Sequence, residues 1–147
     1  MSSVRNFLDE AEKDKVIDAI RQAESSTTGE IRIHLENHCH TEAYKRAVQV
    51  FHELKMHKTK FRNGILIYIA VKDRKFAILG DEAIDRKTGT HYWDEISNRL
   101  KKHFEEGTYA DGILEVIQQS GKVLAQFFPN LENYQKNELP DDISFDE

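Results

Sequence analysis

The sequence predicts an α/β domain built on a short mixed sheet, with a β-hairpin and helices on both faces. Three observations carry that prediction. Residues 30–35 alternate apolar and polar at strand period, and residues 64–71 form an unbroken apolar run of strand length. Around and between these two runs, apolar residues recur at helical spacing. The connection Lys72-Asp73-Arg74 is too short to carry a crossover, so the next strand must turn back as a hairpin.

The elements follow in order. Helix one covers residues 9–24: Asp9 caps it, Glu12 completes a capping box, and Ala11, Val16, Ile17, Ile20 and Ala23 form its apolar stripe. Ser25-Ser26-Thr27-Thr28-Gly29 ends it. Strand one spans 30–35, with Ile31, Ile33 and Leu35 on one side and Arg32 and His34 on a side expected to be poorly covered. Thr41 is read as the cap of helix two, whose inner face is Ala43, Ala47, Val50, Phe51 and Leu54. Strand two, 64–71, is apolar throughout and is expected at the centre of the sheet. Strand three covers 75–79. Helix three is placed at 90–104 with Trp93, Ile96, Leu100 and Phe104 inward, after a loop at 82–89. Helix four runs over 111–128, where Gly121 marks a close helix contact, and Pro129 ends it. Strands one and two are expected parallel, with helix two as the crossover.

This order assigns residues 1–129 to the domain and 130–147 to an acidic C-terminal tail, disordered by default. Apolar residues within that tail leave open that it covers the domain or binds a partner. The formal net charge of −5 argues against a nucleic-acid binder, which needs a basic stripe to replace counterions. With Cys39 alone, no internal disulfide forms. No run approaches the roughly 18 apolar residues of a membrane helix, and the N-terminus shows no apolar leader. The expected location is cytoplasmic.

The hairpin has a consequence for chemistry. Strand three runs against strands one and two, so its end, Gly80-Asp81, should meet the starts of the other two, at Thr27 to Glu30 and at Arg62-Asn63-Gly64. Glu30 and Asp81, joined by Asp85 or Asp111, offer the hard oxygen ligands favoured by Ca²⁺ or Mg²⁺. Arg62 supplies a planar fork for a carboxylate or phosphate oxygen. The same residues also read as helix caps and a structural ion pair between Arg62 and Glu30 or Asp81. Asp111 reaches this edge only if helix three runs in a suitable direction.

At these positions the chain resembles the TPM-domain family, which includes thylakoid-lumen acid phosphatase-like proteins, photosystem II repair factors and a receptor-modulator domain. The resemblance rests on Ala23-Glu24 with Thr28-Gly29-Glu30-Ile31-Arg32-Ile33, on Thr59-Lys60-Phe61-Arg62-Asn63-Gly64-Ile65-Leu66-Ile67, and on Phe76-Ala77-Ile78-Leu79-Gly80-Asp81. Trp93, Phe104-Glu105-Glu106-Gly107 and Gly112-Ile113 complete it. It implies a three-layer α/β/α sandwich, a divalent-cation site of Ca²⁺ type, and a phosphatase-like activity in some members. Carried over residue by residue, it implies Glu30, Asp81 and Asp111 as metal ligands and Arg62 and Asn63 as ligand-binding residues, with Asp81 and Arg62 the catalytic candidates. Ala83 stands where many members have glycine, and the export signal and membrane anchor of many members have no counterpart here.

Other chemistry is less well supported. His34, His38, Cys39 and His40 suggest zinc, but His38-Cys39-His40 is too crowded for tetrahedral binding by all three, so a polar loop and no zinc are expected. No base is placed to activate Cys39. His52 and His57 read as surface residues. Walker, dinucleotide-binding and nucleophile-elbow motifs are absent from the sequence. Two functions remain. One is a binding or accessory module that uses a Ca or Mg ion to order an acidic edge for a protein partner. The other is a metal-assisted acid phosphatase in which Arg62 holds a phosphate-containing ligand.

Overall fold

The computed structural model describes residues 4–89, 91–131 and 143–146. Helix α1, Glu10–Glu24, opens on the expected capping box: Glu12 N–H donates to Asp9 Oδ1 at 2.7 Å, and Asp9 N–H donates to Glu12 Oε1 at 2.9 Å. Then come β1 (Glu30–Glu36), α2 (Ala43–Glu53), β2 (Gly64–Ala70), β3 (Lys75–Gly80), α3 (Glu82–Thr88), α4 (Asp94–Glu106), α5 (Tyr109–Phe127) and β4 (Ser144–Asp146).

The four described strands form one sheet in the order β3-β2-β1-β4. β1 and β2 are parallel, with Glu30 opposite Gly64 and Glu36 opposite Ala70. β2 and β3 are the expected antiparallel hairpin, with Ile65 opposite Gly80 and Ala70 opposite Lys75. Period-2 alternation then sends side chains to two separate cores. Ile31, Ile33, Leu35, Ile65, Ile67 and Ile69 pack against α1, α4 and α5. Leu66, Tyr68, Ala70 and Leu79 pack on the other face against Ala47, Val50 and Phe51 of α2, with Met56 beside them. The result is a mixed sheet between two helical layers.

Four details depart from the sequence reading. The polar face of β1 is covered by α2, so His34 and Glu36 are buried rather than thinly shielded. Residues 82–89, expected as a loop, contain α3: Asp81 caps it by accepting from Glu82 N–H, and Gly89 ends it with φ 86°. The following helix starts at Asp94, not at 90, and Thr90 lies outside the described residues. Glu42, not Thr41, occupies the N-cap position of α2 and makes no side-chain cap bond.

The end of the chain joins the sheet. Ser144–Asp146 pairs parallel with His34–Glu36 of β1, and Ile143 is buried in the larger core. Arg5 and Lys13 sit over the Phe145 ring, 4.8 and 5.7 Å from its centre. Disorder as the default for 130–147 therefore does not hold at Ile143 to Asp146, while 132–142 lie outside the described residues. Among the described residues no helix is long and apolar enough to cross a membrane.

Candidate functional site

The three segments converge as the hairpin requires. Asp81 N–H donates to Gly64 O at 2.9 Å, which extends the β2–β3 ladder by one residue, and Gly64 is also the partner of Glu30. Glu30, Gly64 and Asp81 thus occupy one rung. Glu30 lies two residues before Arg32, and Asp81 two after Leu79, so both side chains leave the sheet on the α2 face. Two strand spacings put their Cα atoms roughly 10 Å apart. Gly64 adds no side chain between them, and Met56 Cε lies 3.4 Å from where its Cβ would be.

Hydrogen bonds tie this edge together. Asn63 Nδ2 donates to Thr28 Oγ1 at 3.1 Å. Thr28 N–H donates to Phe128 O at 3.0 Å, which brings the end of α5 against the start of β1. Glu24, at the end of α1, accepts Ile31 N–H on Oε2 at 2.8 Å. Three carboxylates are consequently buried at one end of the sheet: Glu24 is 3% exposed, Glu30 1% and Asp81 6%. Such groups need close polar partners, because burial strips them of water.

Arg62 is the partner of Asp81. Its Nε donates to Asp81 Oδ2 at 2.9 Å and its Nη2 to Oδ1 at 3.0 Å, a two-pronged clasp. Arg62 sits in the left-handed region at φ 52° and its Nη1 lies 3.5 Å from Glu82 Oε1. The bonds to Asp81 hold the Arg62 guanidinium charged beyond its ordinary range. Asp85, one turn along from Asp81, has its carboxyl pushed upward by burial first and by the Asp81 charge second. Of the sequence-derived residues, then, Glu30, Arg62, Asn63 and Asp81 meet at this edge.

Asp111 does not join them. Phe128, just past the C-terminal end of α5, is the residue that bonds Thr28, while Asp111 lies in the first turn of the same helix and is exposed. At 1.5 Å rise per residue the helix carries Asp111 about 25 Å away, to the opposite end of the domain. The turn between α4 and α5 is at the far edge because α4 already runs away from the Asp81 side.

That far edge holds a cluster the sequence reading passed over. Arg46 of α2 donates from Nε to Glu36 Oε2 at 3.0 Å and from Nη2 to Glu36 Oε1 at 2.9 Å. The same Nη2 reaches Asp146 Oδ2 at 3.1 Å, and Nη1 reaches Glu53 Oε2 at 3.2 Å. Tyr68 donates its hydroxyl to Glu36 Oε2, and His34 contacts Glu36 Oε1 at 3.3 Å and Ser144 Oγ at 3.0 Å. Burial alone would push Glu36 up, but the bonds from Arg46 and Tyr68 outweigh it and hold the carboxyl below its usual range. The His34 imidazole is lowered, chiefly by burial.

His34, Glu36 and Asp146 each offer a ligand atom within 4.8 Å of the others, beside a hollow of about 440 Å³ lined by Asn37, His38 and His40. Both carboxylates are already bonded by Arg46 Nη2, so a metal would have to compete with this guanidinium for them. Of the remaining histidine-cysteine group, His38 is held by Asp73 at 3.0 Å, the Cys39 thiol by Thr41 O at 3.1 Å, and the His40 ring stacks 6.1 Å from that of His38. No sequence motif announced the Glu36 network. Its one signal was His34 and Glu36 at alternate positions, on a strand face that the sequence left with no evident cover.

Comparison with known proteins fits this arrangement. The solution structure of the BA42 protein from the psychrophilic bacterium Bizionia argentinensis superposes with a TM-score of 0.88 at 40% identity, covering 99% of this chain and 100% of that one. The N-terminal domain of a protein from P. gingivalis shares the fold at a TM-score of 0.68 and 18% identity, over 82% of this chain and 78% of that one. Among curated proteins nothing matches. The sequence profile of the TPM domain matches residues 2–123, which contain Glu30, Arg62, Asn63 and Asp81. This chain belongs to the TPM-domain family.

Proposed function

We propose that this TPM domain is a binding or accessory module that takes a divalent cation, Ca²⁺ or Mg²⁺, at the Asp81 edge and presents that edge to a protein partner. The observation that supports the reading best is the shared rung: Glu30 and Asp81 stand on one face on either side of Gly64. Glu82 adds negative charge 3.5 Å from Arg62 Nη1, and the Asp85 carboxyl feels the Asp81 charge. Hard carboxylate oxygens of this kind suit Ca²⁺ or Mg²⁺, with backbone carbonyls and water completing the shell. Glu30 and Asp81 are the ligands in this reading; Asp111 is not. The cation competes with Arg62 for Asp81, and Arg62 has Glu82 as a second acceptor.

The phosphatase alternative asks Arg62 to hold a phosphoryl oxygen, but its fork is already closed on Asp81. The accessory reading asks Arg62 only to release Asp81, with Glu82 as its second acceptor. The test is calorimetric titration of Ca²⁺ and Mg²⁺ into the full chain, alongside melting temperature. Saturable binding with a raised Tm is expected for the wild type, because an ion that prefers the folded state stabilises it. Asp81→Asn and Glu30→Gln should each abolish it. No binding by the wild type would overturn the proposal, and hydrolysis of p-nitrophenyl phosphate lost in both Arg62→Ala and Asp81→Asn would favour the enzyme.

A further inference from the structure

We propose that His52 and His57 form a second ion site, for a borderline transition metal such as Zn²⁺, Ni²⁺ or Cu²⁺, separate in chemistry from the carboxylate edge. The two residues lie at the end of α2 and in the 3₁₀ turn Met56–Lys58 that follows it. Lys55 turns the chain between them with φ 60°, which folds the 3₁₀ turn back against the helix end.

The ring geometry matches a shared ion. His52 Nδ1 lies 2.9 Å from Val48 O. A carbonyl only accepts, so Nδ1 carries the proton and the lone pair is left on Nε2. This is the arrangement in which a backbone carbonyl orients a metal-binding imidazole. His57 Nδ1 is buried and has no hydrogen-bond partner. The two ring centres are 4.5 Å apart with planes tilted by 34°. Metal–nitrogen bonds of 2.0–2.1 Å place each ring centre about 3.2 Å from the ion, so two rings meeting at 90–110° stand about 4.5–5.2 Å apart. The observed separation lies at the near end of that range.

The surroundings suit the same ion. His52 and His57 line a hollow of about 120 Å³ together with Phe51, Leu79, Arg62 and Asp81. The room admits an ion with water in its remaining positions. Arg62, the nearest guanidinium, turns its Nε and Nη2 to Asp81. Imidazole nitrogen selects zinc, nickel or copper over calcium and magnesium, so the two sites differ in the ion they take. By contrast, the His38 and His40 rings are 6.1 Å apart, and His38 is held by Asp73.

The experiment titrates Zn²⁺ into the full chain by calorimetry and follows the histidine ring signals by NMR. One equivalent should bind, and the His52 and His57 rings should shift together. His52→Asn and His57→Asn should each weaken binding by about tenfold or more, while His38→Asn/His40→Asn should bind as the wild type does. Because His52 is exposed, its replacement leaves the fold intact, which the amide spectrum verifies. Failure to saturate, movement of only one of the two rings, or loss of binding in the His38/His40 variant would overturn the proposal. Asp81 also lines this hollow, so the two sites are told apart by Zn²⁺ titration of Asp81→Asn, where loss of zinc binding would overturn a separate histidine site.

Discussion

Arg46 and Glu36 form a two-pronged ion pair inside the domain, with N···O distances of 3.0 and 2.9 Å and the Glu36 side chain only 7% exposed. It joins α2 to the end of β1 and, through Asp146, to the last strand. Removing one member leaves the other without its partner in a dry setting. Arg46→Leu is therefore expected to destabilise the fold by about 3 kcal/mol in urea denaturation. Arg46→Lys should recover only part of that loss, since an ammonium cannot make both bonds to Glu36.

Much of the fold was legible, and the reasons are specific. The unbroken apolar run at β2 required a central strand, and Lys72-Asp73-Arg74 left no length for anything but a hairpin. Once the hairpin was fixed, Asp81 had to fall near Gly64; whether Arg62 would pair with Glu30 or Asp81 stayed open, and the fold selects Asp81. What stayed hidden depended on contacts distant in sequence. Arg46 meets Asp146 across a separation of 100 residues, and nothing local in either segment encodes that pairing. Asp111 was misplaced because the direction of α4 is set by packing against α5, which hydrophobic spacing does not specify.

Acid should weaken the domain in two stages. The folded state holds His34 below the ordinary histidine value of 6.5, so below that value the unfolded chain takes up a proton that the folded chain resists. Stability then falls with pH until His34 itself protonates. Glu36 is held below its ordinary 4.5, so its contribution is intact above that value and is lost as pH falls through the lower, folded one. Urea midpoints measured from pH 8 to about 3 should decline in both windows. His34→Gln should flatten the first, apart from a share from His57, which burial also lowers.

The final strand is predicted to be part of the cooperative fold. Ile143 is 5% exposed and packs into the larger core, and Ser144 bonds His34. Ile143→Ala should cost about 2 kcal/mol, near the lower end for truncating a buried isoleucine. A cost close to zero in chemical denaturation would mean that this segment unfolds on its own before the domain does.

The Arg62 clasp makes a prediction of opposite sign to most substitutions. If a cation competes with Arg62 for Asp81, Arg62→Gln should tighten Ca²⁺ binding while weakening the ion-free fold. Removing the clasp should lower the urea midpoint only moderately, since Asp81 is nearly buried but the arginine is 39% exposed on its side chain and screened by water. Calorimetry of the variant against the wild type measures the affinity change directly. Weaker calcium binding in Arg62→Gln would show that the guanidinium helps to build the site instead of blocking it.

Gly121 sits where α5 crosses α1, and a Cβ added there would lie 2.9 Å from Ala23 Cβ and 3.2 Å from Ala23 Cα. Two effects oppose each other at this position. Replacing glycine with alanine inside a helix stabilises it by up to about 1 kcal/mol through backbone entropy. The contact, however, is with a methyl carbon and a backbone atom, neither of which can rotate aside, so α1 and α5 must separate. Overpacking of this kind costs about 1–3 kcal/mol. The clash should win, so that Gly121→Ala lowers the urea midpoint and Gly121→Leu lowers it much further. A raised midpoint for alanine would mean that the helix pair yields by a few tenths of an ångström without losing its packing.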